Sequence, residues 1–322
     1  MKTSILTSPI LVDAGVNNVS GQVYASNASR FGATFYSEPL TAYTVGWRDP
    51  ENIEALLERV APAVDVGRRF EFKKADNSEA FLSETDDVRA IGSAFKRVEY
   101  SGTSVNEKTQ NKGLTTRVDK DDEVGDGWRE KYVASLMQRL VRNELRRAIA
   151  VIDAAATNVV KVWGSTANAD ADFRAQLRAA KNIGGIRPNQ ALIGGAAWDL
   201  RADSYEAQNT PHSGRRATMT PEQFAASLMI ASAIVSEAVY TAGVGAKSDI
   251  VGSIALLYFA MSGLMKDDPS NVKRFTSPTA QGGRTAVYIE EHPKYTDISV
   301  EHYSNIVITS TLGIRKITAN PV

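Results

Sequence analysis

The stretch that most limits how this chain can fold runs from Trp128 to about Lys161. Apolar residues fall at Val133, Leu136, Met137, Leu140, Val141, Leu145, Ala148, Ile149, Ile152 and Ala155. This i, i+3, i+4, i+7 recurrence, unbroken by Gly or Pro, predicts one long amphipathic helix. At 1.5 Å per residue it would be roughly 50 Å long, about the width of a compact domain. Asp121, Asp122, Glu123 and Asp126 stand just ahead of it, where carboxylates meet the positive end of a helix dipole. Gly164 and a polar run follow. A helix this long cannot bury its own apolar face, so the segments on either side must fold back over it. It is predicted to be a spine.

Residues 1–48 read as an extended arm whose Phe31, Phe35, Tyr36, Tyr43 and Trp47 need burial against this chain or another. Asp49 and Pro50 open a helix with Ile53, Leu56, Leu57 and Val60 on one face, and Pro62 ends it. Residues 66–120 are highly charged and read as strands at 70–73, 95–100 and 114–119, separated by polar runs at 77–87 and 102–112. They hold too few apolar residues for a core of their own. A long hairpin with so little to bury is expected to gain stability by lying on a neighbouring subunit.

Beyond the spine, helices are predicted at 170–182 and 196–207, with a short strand at 191–193. Thr220-Pro221-Glu222-Gln223 is a capping box opening a helix through about Ser232. Strands follow at 234–241 and 250–260, a loop at 267–274, and strands at 286–291, 297–302 and 305–317, rich in Val, Ile and Thr. The pattern is that of an α+β protein with two intertwined lobes and extensions.

Signatures of chemistry are missing. The chain has no cysteine, which excludes disulfides, thiol catalysis and Cys-based zinc sites. Its histidines, His212, His292 and His302, form no HExxH or i, i+4 pair. The acidic run Asp119–Glu123 lacks the Gly that a calcium loop needs at its sixth position, which is Val124 here. Gly243–Ser248 resembles a phosphate loop only loosely, since Thr241 and Ala246 stand where Gly is required, and it reads as a turn between strands. No GxSxG or GxGxxG occurs. No catalytic, metal-binding or cofactor-binding residue is therefore assigned. Lys plus Arg and Asp plus Glu balance at 37 each, so no basic field advertises nucleic-acid recognition. Neither the short N-terminal apolar stretch nor residues 225–265 reads as a signal peptide or a membrane span.

One feature of the spine has two readings. Arg139, Arg142 and Arg146 form a stripe opposite the apolar face. It is either a solvated helix surface or a contact with acidic groups, those of a neighbouring subunit or of a phosphate backbone.

The order of parts (arm, helix, charged two-stranded extension, spine helix, α/β lobe ending in strands) resembles the major capsid protein of tailed bacteriophages. So do the stretches at 127–158 (GWREKYVASLMQRLVRNELRRAIAVIDAAATN), 186–210 (IRPNQALIGGAAWDLRADSYEAQNT) and 297–318 (DISVEHYSNIVITSTLGIRKIT). Together they extend the likeness over most of residues 50–318. The resemblance implies an α+β phage major-capsid fold. Residues 1–65 would be the N-terminal arm with its short helix, and 66–120 the extended β-hairpin loop overlying an adjacent subunit. Residues 121–163 and 266–304 would form the peripheral domain with the spine, and 164–265 with 305–322 the α/β axial domain. Phe31, Phe35 and Tyr36 would be arm contacts.

The implied function is structural. Copies would assemble through pentamers and hexamers into an icosahedral shell around double-stranded DNA, with no cofactor, no membrane and no reading of DNA sequence. Assembly would take place in the host bacterial cytoplasm and the product would be the virion capsid. Separate scaffolding, portal and decoration proteins would be partners. With the spine starting near residue 128, no room is expected for a fused scaffolding region. Lys108, Lys112, Asn106 and Asn111 in the extended loop are too ordinary to imply cross-linking. The rival readings are an encapsulin-like nanocompartment shell protein and an α+β enzyme with an unrecognised site.

Overall fold

The computed structural model describes residues 35–74, 88, 93–94, 102–122, 125–208, 210–241, 243, 245–261 and 270–322. The elements are, in order, α1 (Glu38–Gly46), α2 (Ile53–Val60), β1 (Ala63–Asp65), β2 (Arg69–Lys74), β3 (Thr103–Lys108) and β4 (Gln110–Asp119). The spine α3 (Trp128–Ala155) leads into β5 (Thr157–Val162), α4 (Ala169–Gly184), β6 (Gln190–Gly194), α5 (Gly195–Glu206), α6 (Ser213–Ala217) and α7 (Pro221–Leu228). Among the described residues eight strands close the chain, of which the first seven are β7 (Ser232–Ser236), β8 (Val239–Thr241), β9 (Lys247–Asp249), β10 (Ile254–Tyr258), β11 (Val272–Ser277), β12 (Thr285–Glu291) and β13 (Tyr295–Ile308). The eighth is β14 (Arg315–Asn320).

The spine joins two sheets. The N-terminal half of α3 places Val133, Leu136 and Leu140 against Val287, Ile298 and Val300 of the first sheet and Leu40 of α1. Its C-terminal half buries Val141, Leu145, Ala148, Ile149 and Ile152 with Leu192, Leu256 and Tyr258 of the second. Each of these larger aliphatic side chains contributes roughly 1.5–3 kcal/mol by leaving water. In the first sheet β13, 14 residues long, is the common strand: β4, β11 and β12 all pair antiparallel with it, and β1 adds parallel to β11. The second sheet runs β5-β14-β10-β6-β7. Both of its faces are covered, and its central strands alternate between two cores. Ala191, Ile193, Ala255 and Leu257 face Phe173, Tyr205 and Phe224 of α4, α5 and α7. Leu192, Leu256 and Tyr258 face the spine.

Several boundaries differ from expectation for identifiable reasons. The spine is 28 residues, about 42 Å, and stops at Ala155. Beyond it the β-branched Thr157, Val159, Val160 and Val162 pair parallel with β14. Residues 38–46, expected to be extended, form α1, whose inward face carries Thr41 and Thr44 beside Leu40, so no apolar period advertises it. α2 starts at Ile53 with Asn52 at its N-cap in the left-handed region at φ 55°. Asp49 and Pro50 thus lie ahead of the helix rather than opening it, and the Asp49 carboxylate reaches forward to accept from the N–H groups of Glu51 and Glu54.

The loop expected up to Arg274 gives way to β11, in which Lys273 is fully buried and pairs with Val307 of β13. The expected strand 305–317 is interrupted by a turn with Gly313 at φ 75°. α7 ends at Leu228 rather than near Ser232, with Met229 in the left-handed region at φ 54°. The strand expected at 95–100 and the polar run at 77–87 lie outside the described residues.

Close packing at the start of α5 depends on one glycine. A Cβ at Gly194 would lie 1.8 Å from the Gly252 carbonyl oxygen. Gly194→Ala is therefore expected to lower stability by about 1–3 kcal/mol, read from the urea midpoint. An unchanged midpoint would mean that this backbone approach is not needed.

Candidate functional site

The three spine arginines have separate settings. Arg142 donates to Glu51 Oε2 at 2.5 Å, a half-exposed pair on the surface between α3 and the start of α2, of the kind that contributes little. The Arg146 guanidinium lies 3.8 Å from the centre of the Tyr240 ring, a cation–π contact. Arg146, Arg147 and Asp153 of α3 face Tyr240 and Asp249 of the β8–β9 hairpin across an open cleft of about 510 Å³. Arg139 is exposed and meets no partner among the described residues. Two of the three arginines are thus held by groups of their own chain.

Of the arm aromatics, Phe31 lies outside the described residues and Phe35 is half-buried. Tyr36 forms a β-bridge with Tyr288, and the two rings meet edge to face at 6.2 Å. The next turns extend that docking: Ser37 N–H donates to the Val287 carbonyl at 2.9 Å, and the Val287 N–H donates to Thr41 Oγ1 at 3.1 Å. This end of the arm lies on β12 of its own chain.

The ribbon of β2 and β3 is largely exposed. Six residue pairs hold it together. Phe72 is its single buried residue, packed with Phe70 against Phe275 at the base. The next strand, β4, leaves the ribbon and runs ten residues along β13.

Where β4, β13 and the spine converge, the structure holds a polar node that the sequence reading did not single out. Glu144 lies on the apolar face of α3 and is only 3% exposed. Its Oε1 accepts from Lys112 of β4 at 2.8 Å and from Arg147 at 2.6 Å, and its Oε2 from Ser304 of β13 at 2.8 Å. His302 Nε2 stands 3.7 Å off, beyond hydrogen-bond reach. Burial pushes the Glu144 carboxyl up, but the neighbouring His302 and Lys112 outweigh it and hold the group well below the usual carboxylate range. Burial likewise pushes the Lys112 ammonium down, partly offset by Glu144. The node pins three elements at one point. Its signal in the sequence was a glutamate three residues after Val141 and just before Leu145, on the stripe that otherwise faces the core.

The histidines do not converge. His212 sits in a loop at φ 74°, and His302 stands by the node. His292 Nε2 is 3.0 Å from Glu290 Oε1. With Asp297 these two make the one grouping of metal-ligand type among the described residues. The Asp297 oxygens are already engaged by Arg117 at 2.9 and 3.1 Å, and the guanidinium also stacks on Tyr295 at 3.8 Å. That places a fixed positive charge where a cation would have to sit, and the arrangement is an ion pair between β4 and β13. Lys247 and Ser248 of the loosely phosphate-loop-like stretch belong to β9, paired antiparallel with β8. Among the described residues no helix is long and apolar enough to cross a membrane.

No family model and no curated protein matches the chain. Solved structures do. The chain is similar to a phage-related protein from Bordetella bronchiseptica RB50, with a TM-score of 0.67 at 15% identity, covering 88% of this chain and 96% of that one. It is also similar to the capsid structure of the Cyanophage P-SCSP1u, with a TM-score of 0.51 at 12% identity, covering 96% of this chain and 94% of that one. The likeness extends over nearly the whole of each chain, and the fold of this protein is the phage major-capsid fold.

Proposed function

We propose that this chain is a major capsid protein, a coat subunit that assembles through pentamers and hexamers into an icosahedral shell enclosing double-stranded DNA. The observation that carries the reading is the likeness of fold to the cyanophage capsid chain along almost the entire length of both. The exposed β2–β3 ribbon adds to it. A strand pair with a single buried residue is marginal alone and is suited to lie on a neighbour.

In this reading residues 1–65 are the arm, 66–120 the extended loop, 121–163 with 266–304 the peripheral domain, and 164–265 with 305–322 the axial domain. The axial domain packs head to tail around the centre of each ring. Such a contact joins two different patches and closes into rings when its rotation permits. Balanced charge keeps many packed copies from repelling one another at long range. The role is structural and requires no catalytic step. DNA is enclosed without its sequence being read, and separate scaffolding, portal and decoration proteins complete a virion assembled in the bacterial cytoplasm.

Light scattering combined with negative-stain microscopy of the purified protein tests this. Megadalton shells, or free pentamers and hexamers, are expected, and shells formed in cells should protect DNA from nuclease. A monodisperse monomer or dimer would overturn the reading.

A further inference from the structure

Two helices of the α/β lobe carry exposed stripes of opposite charge with the same spacing. On α4, Arg174, Arg178 and Lys181 are exposed at i, i+4 and i+7. On α5, Asp199, Asp203 and Glu206 are exposed at i, i+4 and i+7. None of these six side chains forms a hydrogen bond or ion pair with a described residue. Each stripe places like charges one turn apart, which strains an isolated helix. Glu206 is moreover the last residue of α5, where the dipole disfavours an anion and favours a cation. Both stripes are therefore relieved by meeting the other sign.

The basic stripe has a receptacle beside it. Between α4 and α7 lies a cleft of about 300 Å³ with Leu177 and Leu228 in its lining and Arg187 on its wall. Arg187 donates to the Leu228 carbonyl, and Met229, 82% exposed, stands in the same lining. An apolar lining ringed by cations suits an amphipathic acidic surface better than a free phosphate.

We infer that this cleft receives the acidic face of α5 from a second copy of the chain. The inference rests on the coat-protein reading and names the partner surfaces of its ring contact. Along either helix the three charges are spread over about 10 Å with identical intervals, so parallel helices bring all three into register at once. The two stripes are different patches, so one copy's α4 meets the next copy's α5 and the contact repeats around a ring. Opposed charges of this kind mainly select the partner and its register.

Charge reversal tests the pairing. One variant carries Arg174→Glu, Arg178→Glu and Lys181→Glu; another carries Asp199→Lys, Asp203→Lys and Glu206→Lys; a third carries all six. All changes are on exposed positions, and circular dichroism checks that each variant folds. Each single-stripe variant is expected to lose at least about tenfold in particle yield by light scattering, because it opposes like charges. The six-fold variant is expected to regain most of that yield. Should it fail to fold, an equal mixture of the two single-stripe variants provides the same complementarity in alternating six-membered rings.

Single-stripe variants that assemble like the unaltered chain, or exchanged charges that restore nothing, overturn the inference and leave the coat-protein reading standing. Unchanged particle numbers with less enclosed DNA in the Arg174/Arg178/Lys181 variant would also overturn it, assigning the cleft to phosphate. If the unaltered chain gives no particles at all, the coat-protein reading falls and this contact with it.

Discussion

Glu144→Ala unfolds with about 3–5 kcal/mol less stability than the unaltered chain, because removing the carboxylate leaves an ammonium buried without compensation. Lys112 has a side chain only 10% exposed, and Glu144 is its ion-pair partner. Its remaining contact, Ser304 Oγ at 3.0 Å, brings no charge. Removing both partners, as Glu144→Leu with Lys112→Met, is expected to lose far less, since apolar side chains of similar size can fill the site.

The node also sets a pH dependence. The Glu144 carboxyl is held below its ordinary value in the folded chain, so the unfolded chain binds the proton more readily. Its contribution is fully present above the ordinary glutamate pKa of about 4.3 and is lost progressively on acidification below it. Urea midpoints between pH 7 and pH 3 should fall in the unaltered chain, and fall less steeply in the Leu/Met variant. A Glu144→Ala chain within 1 kcal/mol of the original would show that the node does not hold β4 and β13 to the spine.

The second large effect is on assembly. Lys74 and Thr103 are register partners at the end of the ribbon, so an Asn-Gly pair can replace residues 75–102 as a two-residue hairpin turn. The shortened chain is expected to keep its two sheets and its thermal midpoint within a few degrees, since Phe70 and Phe72 still pack on Phe275. It should form no closed particles, because residues 75–102 of the extended loop proposed to overlie a neighbour are gone and its β2–β3 base remains. Intact particles at the original yield would remove the intersubunit role of the extension.

What the sequence revealed and concealed follows from where each element finds its partner. The spine was legible because its apolar period is internal to one segment. The capping box at Thr220 was legible for the same reason: the Thr220 hydroxyl and the Gln223 amide satisfy each other's backbone within four residues. α1 was concealed because its buried face is partly Thr. β11 was concealed because Lys273 and Arg274 resemble loop residues until two strands enclose them.

The site was harder still. The arginine stripe was visible, but not that Glu51 and Tyr240 of the same chain hold two of its members. The Glu144 node joins residues 32 and 160 positions apart. Only the sheet pairing of β4 with β13 brings them together.

The place of β14 governs when the second sheet of a nascent chain can close. This strand lies between β5 and β10, not at an edge, so the second sheet stays split until residues 315–320 have been translated. At about 5–20 residues per second, β5 waits some 8–30 s after leaving the ribosome before its neighbour exists. Chains truncated before Arg315 would keep two unpaired strand edges in the middle of the lobe. Unpaired edges of this kind invite pairing with other chains. Until β14 is present, β5 and β10 therefore each carry an open edge, and the two parts of the sheet have no hydrogen-bonded backbone link.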